Sequence, residues 1–264
     1  MHKLVRQVRF SINPFLDCDS EGFNSYASKP CGDGLSIFFE LGVGLIGQTN
    51  ADTGFVVNVV DVDKQVREHV VGVFAERIRD YYRKGKHVGF SALANLLEET
   101  NGRLKGKFGN AMVGELSLKL NPYRKLAVDC EDLKMIYFSE KFEFASMHKL
   151  WNTDFSEEKN FEVFGKCANP TGHGHNYSIE VTVKMDVETE FKVSEFEKVV
   201  DRNFVEQVDH KNLNADVEYF GENNPTVENL AVFAWERLVG KFSQVKLHSV
   251  TIWETDKTYC TYYG

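Results

Sequence analysis

The chain has no apolar run approaching the ~18 residues that a membrane span needs, so no transmembrane segment is expected. Its N-terminal stretch, MHKLVRQVRFSINPF, lacks a long apolar core, which predicts no signal peptide. Cysteine is scarce. Cys18, Cys31, Cys130, Cys167 and Cys260 are scattered, odd in number and never arranged as CxxC. That excludes a disulfide framework and points to a reducing, cytoplasmic compartment. There is also no basic stripe of the kind a nucleic-acid partner demands, so none is expected.

What remains is an ordinary globular composition, 42% hydrophobic and 27% charged, with room in 264 residues for two domains. The 21 Phe and 10 Tyr tilt the expectation toward strands. The net charge of −8 is unevenly spread. Residues 1–130 hold 17 Lys+Arg against 15 Asp+Glu, whereas residues 131–264 hold 14 against 24. The two halves therefore differ in character.

They also rhyme. VRQVRFSINPF echoes IYFSEKFEFASMH, GDGLSIFFEL echoes GHNYSIEVTV, and DTGFVVNVVDVDKQV echoes ETEFKVSEFEKVV. ANLLEETNGRLKGKF echoes ENLAVFAWERLVGKF, and GELSLKLNPYRKLAV echoes HSVTIWETDKTYCTY, both at an offset of 134. Chance does not preserve order across five such pairs, so a tandem duplication is read, with its join near Asp129–Lys134. The expected domains are 1–130 and 131–264.

Each half reads strand, strand, helix, helix, strand, strand. Period-two alternation marks VRQVRFSI and SIEVTVKM as strands. DTGF and ETEF look like turns joining a hairpin. SEFEKVVDRNFVEQV has helical spacing, and PTVENLAVFAWERL opens a helix at Pro225 or Thr226. The fold class is α+β, an antiparallel sheet with two helices on one face. LGVGLIGQ contains GxGxxG at Gly42, Gly44 and Gly47, but only seven residues separate it from a strand expected at Phe55. A crossover helix has no room there, so a glycine-kinked strand is preferred over a nucleotide site.

The chemistry concentrates in GKCANPTGHGHNY. His173 and His175 stand at i and i+2, so on a strand both imidazoles face one side and can share a metal. Antiparallel pairing with the strand ending FASMHKL would bring His148 opposite them. Three protein ligands leave a zinc ion one position for water or substrate. Cys167, in the preceding loop, is then a thiol beside a cation, usable as a base or nucleophile, unless it is a fourth ligand that closes the site. VDHKNLN sets Asp209 beside His210, a pair suited to proton transfer. WET presents Glu254 at a strand end, where a carboxylate can accept two N–H bonds from a flat heterocycle. On the repeat alignment, Cys31, Asp33, Pro14 and Leu120 replace His173, His175, His148 and Glu254, so the first half lacks the metal set and the acid together.

FGKCANPTGHGHNYSIEVTV, VDHKNLN, PTVENLAVFAWERL and VTIWETD together resemble the 6-pyruvoyl-tetrahydropterin synthase family and its relative, 6-carboxytetrahydropterin synthase of the queuosine pathway. The resemblance covers 136–264. It implies tandem tunnelling-fold (ββααββ) repeats, the first degenerate, with a barrel completed in a homo-oligomer. It implies Zn2+ on His148, His173 and His175, and 7,8-dihydroneopterin triphosphate as substrate. It further implies Cys167 as proton acceptor, Asp209 and His210 as its partners, and Glu254, with Thr226 or Glu228, as the pterin grip. The spacing of Cys167 to His173 resembles the pyruvoyl enzyme, which eliminates triphosphate; NNPTVE resembles the carboxy enzyme. A pterin-binding protein with a structural zinc is the reading outside enzymes.

Overall fold

In the computed structural model, residues 1–15 and 36–264 are described. Cys18 lies outside them, as do Cys31 and Asp33, the first-half counterparts of His173 and His175. The chain divides into two compact units, Met1–Phe138 with Asp186–Glu188, and Ser139–Met185 with Thr189–Gly264.

In the first unit the strands β1 (His2–Ile12), β2 (Ile37–Gly47), β3 (Met112–Lys119) and β4 (Arg124–Asp129) lie in that order, successive neighbours antiparallel. Helices α1 (Val59–His69), α2 (Val71–Arg83) and α3 (Phe90–Leu104) fall between β2 and β3. Alternation decides the buried face: Val8, Phe10 and Ile12 point inward from β1. Phe10 stacks on Phe39, its register partner, and both rings meet Phe74 of α2 edge-on.

Three expectations change here. Among its described residues the first unit has three helices rather than two, because Val70 breaks what would be one helix into α1 and α2. No strand begins at Phe55. The DTGF turn leads from a strand into a helix, its start fixed by the Asn50 side chain, which accepts from the amides of Asp52 and Thr53. Asn58 then caps α1 through the Val60 amide. Gly42 and Gly44 are nonetheless strand residues, paired with Gln7 and Val5, and the register with β3 slips between Gly44 and Leu45. A ladder position leaves these amides no phosphate to cradle, so the glycine run is a kinked strand. Lys84, the C-cap residue of α2, is paired with Asp80 one turn before it.

In the second unit the sheet runs β5 (Asp132–His148, in this unit from Ser139), β6 (His173–Asp186), β8 (Lys246–Thr255) and β9 (Thr258–Tyr262). A two-residue strand, β7 (Lys211–Asn212), runs parallel to the end of β5. Between β5 and β6 the chain inserts α4 (Glu157–Phe164) and a single 3-10 turn (Gly165–Ala168), which the strand–strand reading did not anticipate. ETEF likewise leads from β6 into helix α5 (Val193–Val200), so it joins no hairpin. A π turn (Asp201–Val205) and the short helices α6 (Glu206–Val208), α7 (Leu213–Asp216) and α8 (Tyr219–Glu222) follow. Helix α9 (Val227–Leu238) completes the layer. Phe144 of β5 stacks on Tyr177 of β6 and meets Phe204 edge-on, and Phe204 tilts against Phe233 of α9. The helices therefore cover the face of β5 and β6 that carries Phe144 and Tyr177. No helix among the described residues is long and apolar enough to cross a membrane.

Candidate metal centre and its neighbours

His148 is the last residue of β5, and His173 opens β6. Gly172 makes their approach possible. It has φ +70°, and a Cβ there would stand 2.8 Å from the carbonyl oxygen of His148. Glycine satisfies both demands at once. Period two then carries His175 to the same side as His173. The three rings converge, with centroids 4.5, 5.2 and 4.7 Å apart, and their ligand atoms lie within 4.8 Å of one another.

The hydrogen bonds say which nitrogens are ligands. His148, 1% exposed, sets Nδ1 2.7 Å from the carbonyl oxygen of Pro225. A carbonyl only accepts, so Nδ1 carries the proton and Nε2 keeps its lone pair. That Nε2 lies 3.1 Å from Nε2 of His173. His175 Nε2 is buried without a hydrogen-bond partner. Burial is the largest influence on His148 and on His175 and holds both below the ordinary histidine range. Burial that disfavours the charged form of His148 and His175, together with the Nε2 lone pair of His148 in the cluster, fits a divalent cation of nitrogen preference, and the orphaned Nε2 of His175 is the observation that the ion would explain.

Glu254, near the end of β8, is drawn into the same cluster, with Oε1 3.5 Å from His175 Nε2 and 3.6 Å from His148 Nε2. Cys167 sits in the 3-10 turn after α4, and its carbonyl accepts from the amide of Leu150, two residues past His148. The thiol is free. Burial, then the charge of Glu254, push its pKa up.

The remaining sequence candidates stand elsewhere. Asp209 accepts from the Ala145 amide through Oδ1 and from His210 Nδ1 through Oδ2. The Ala145 amide, and next His210, hold its carboxyl below the usual range. His210 has φ +54°, donates its amide to Ala145 and leaves its ring 83% exposed. Thr226 is the N-cap of α9, its hydroxyl taken by the amide of Asn229. Glu228 is exposed in the first turn, and its charge adds to burial in raising the pKa of Cys260.

The sequence did not reveal Pro225, whose contribution is a main-chain carbonyl, nor the asparagines that tie down the segment after His148. Asn214 accepts from the Lys149 amide and donates to its carbonyl, and Asn224 accepts from the Trp151 amide. Tyr177 was also missed, although it continues the 173, 175 series. It is buried, with its hydroxyl 3.5 Å from His148 Nδ1, and burial, then Glu254 and Cys167, raise its pKa.

The profile of the 6-pyruvoyl tetrahydropterin synthase family matches residues 137–264. The human 6-pyruvoyl tetrahydrobiopterin synthase is 35% identical over 130 residues, covering 48% of this chain and 90% of its own length. The protein of that name from Poecilia reticulata is 39% identical over 132 residues, with the same coverage. A 6-carboxy-5,6,7,8-tetrahydropterin synthase from Aquifex aeolicus is 29% identical, covering 44% of this chain and 91% of its own. Residues 1–136 lie outside the family profile.

Proposed function

This chain belongs to the 6-pyruvoyl tetrahydropterin synthase family, and from that premise we propose that residues 131–264 are a zinc-dependent lyase acting on 7,8-dihydroneopterin triphosphate, with residues 1–130 a repeat that lacks the metal set. The observation that carries the reading is the convergence of three imidazoles with the Glu254 carboxylate against two of them. His148, His173 and His175 would hold the zinc, which when bound supplies Lewis acidity to the hydroxyl oxygens of the pterin side chain.

The chain's own groups do the rest. Cys167 takes a proton from the side-chain carbon. Its raised pKa keeps it a thiol in the metal-free site, so it becomes a base only when positive charge stands nearby. Asp209 fixes the Nδ1 proton of His210, leaving Nε2 turned to solvent, where it can accept and return protons. Glu254 accepts the paired N–H groups of the pterin ring, with Thr226 and Glu228 beside the helix end that supplies the Pro225 carbonyl. The protons taken from the first side-chain carbinol are returned to N5 and C6, so the ring is reduced by two electrons as that carbon becomes a ketone, and loss of triphosphate from the deprotonated neighbouring carbons leaves an enol that tautomerises to the second ketone. Among the described residues β1 pairs with β2 in the first unit and β9 with β8 in the second, each on one side, which supports a homo-oligomer in which further copies extend the sheets. The free thiols agree with a reducing cytoplasm.

Incubation of the zinc-loaded protein with 7,8-dihydroneopterin triphosphate tests the proposal. Triphosphate release with a 6-pyruvoyl product is expected. Acetaldehyde among the products would assign the 6-carboxytetrahydropterin reaction instead, and no turnover would leave a structural zinc.

A further inference from the structure

Glu254 has two claims on it. The proposed function asks it to grip the pterin ring, yet its carboxylate lies against the imidazoles. In a tetrahedral site with bonds of 2.0–2.1 Å, ligand atoms stand about 3.3–3.4 Å from one another. Oε1 of Glu254 lies 3.5 Å from His175 Nε2 and 3.6 Å from His148 Nε2, and the two nitrogens of His148 and His173 are 3.1 Å apart. Three of the six edges of such a tetrahedron are thus present to within a few tenths of an ångström. Glu254 stands outside the three-imidazole cluster whose ligand atoms lie within 4.8 Å of one another, so its carboxylate must move toward His173 to complete the figure. The two imidazoles are its only ion-pair partners among the described residues, and the side chain is 22% exposed.

The geometry points to Glu254 as a displaceable fourth metal ligand: in the substrate-free protein its carboxylate occupies the position that substrate oxygen will take, and the pterin ring removes it. This rests on the pterin reading for its second half only. A carboxylate so placed closes the site against water and adventitious anions while no substrate is present. When the N–H edge of a pterin engages the same oxygens, the metal position opens in the same event. Binding the ring and opening the metal are then one motion of one side chain.

Cobalt(II) is the probe, because its visible absorption reports coordination number and ligand type. Metal-free wild type, Glu254→Gln and Glu254→Asp are titrated with Co2+. Gln keeps the shape and loses the anionic ligand; Asp keeps the charge and shortens the reach, and circular dichroism checks that both fold. Both variants are expected to bind Co2+ at least about tenfold more weakly, the loss typical even of outer partners of a metal site, and to give altered spectra. Adding 7,8-dihydroneopterin to the wild-type cobalt protein is expected to shift its spectrum toward that of Glu254→Gln. Equal affinity and identical spectra for wild type and Glu254→Gln would overturn the ligand assignment. A pterin that binds, by its own fluorescence, without moving the cobalt spectrum would overturn the displacement. A pterin that fails to bind would overturn the functional reading, while the comparison made without pterin still decides the ligand.

Discussion

Replacing Gly172 with alanine isolates the contact that lets the two ligand-bearing strand ends meet. Two costs follow from the structure. The backbone at φ +70° is in the left-handed region, which costs an L side chain roughly 1–2 kcal/mol. The new Cβ would also stand 2.8 Å from the His148 carbonyl oxygen and 3.2 Å from Met147 Cε. Main chain cannot swing aside as a side chain can, so relief displaces the end of β5 at about 1–3 kcal/mol, the range for overpacking. The sum, about 2–5 kcal/mol, should lower Tm by on the order of 10 °C. Gly240 is the control: it has φ +73° with nothing within 4 Å of a built Cβ, so Gly240→Ala carries the backbone strain alone. Thermal melts of both variants, with a competition titration for metal, distinguish strain from displacement. Gly172→Ala should lose metal affinity about tenfold or more, and Gly240→Ala should keep it. If the two variants melt together and bind metal equally, His148 is not positioned by this contact.

The metal-free protein should lose stability on mild acidification. Burial lowers the folded-state pKa of His148 and His175, so the unfolded chain binds more protons over the interval from those depressed values up to the usual ~6.5. Stability is therefore present above that interval and falls as pH drops through it; urea melts at pH 5.5 and 7.5 giving equal stability would contradict the assignment. Asn160→Ala should destabilise by about 2–4 kcal/mol in a urea titration, because a fully buried amide that serves both the amide and the carbonyl of Asn152 would leave them unpaired. A change within about 0.5 kcal/mol would mean that water takes its place. Thr226→Ala should cost about 1 kcal/mol as a lost N-cap. It should also weaken metal binding if the start of α9 holds the Pro225 carbonyl on His148; a stability loss with unchanged metal affinity would separate the two.

The legible parts of this chain were those written in side-chain periodicity. Val8, Phe10 and Ile12 announce a half-buried strand, and His173 and His175 share a face because strands alternate. His148 followed from pairing those strands. What resisted reading depends on main chain or on small local choices. Val70 divides α1 from α2 without a proline or a glycine at the break. Ser156 caps α4 in a stretch whose loop character hides one short helix. The carbonyl of Pro225 reaches His148 across 77 positions of sequence and leaves no mark in composition. Adjacency and the family resemblance mark Asp209 and His210 as chemistry; the structure gives Asp209 a second task, accepting the amide of Ala145 in β5.

The most direct test is the zinc content of the purified protein, measured by elemental analysis for wild type and Cys167→Ala side by side. One zinc per chain in both is predicted, with the three imidazoles among its ligands and the sulfur outside its coordination sphere. Two zincs per wild-type chain, or none in Cys167→Ala, would contradict it.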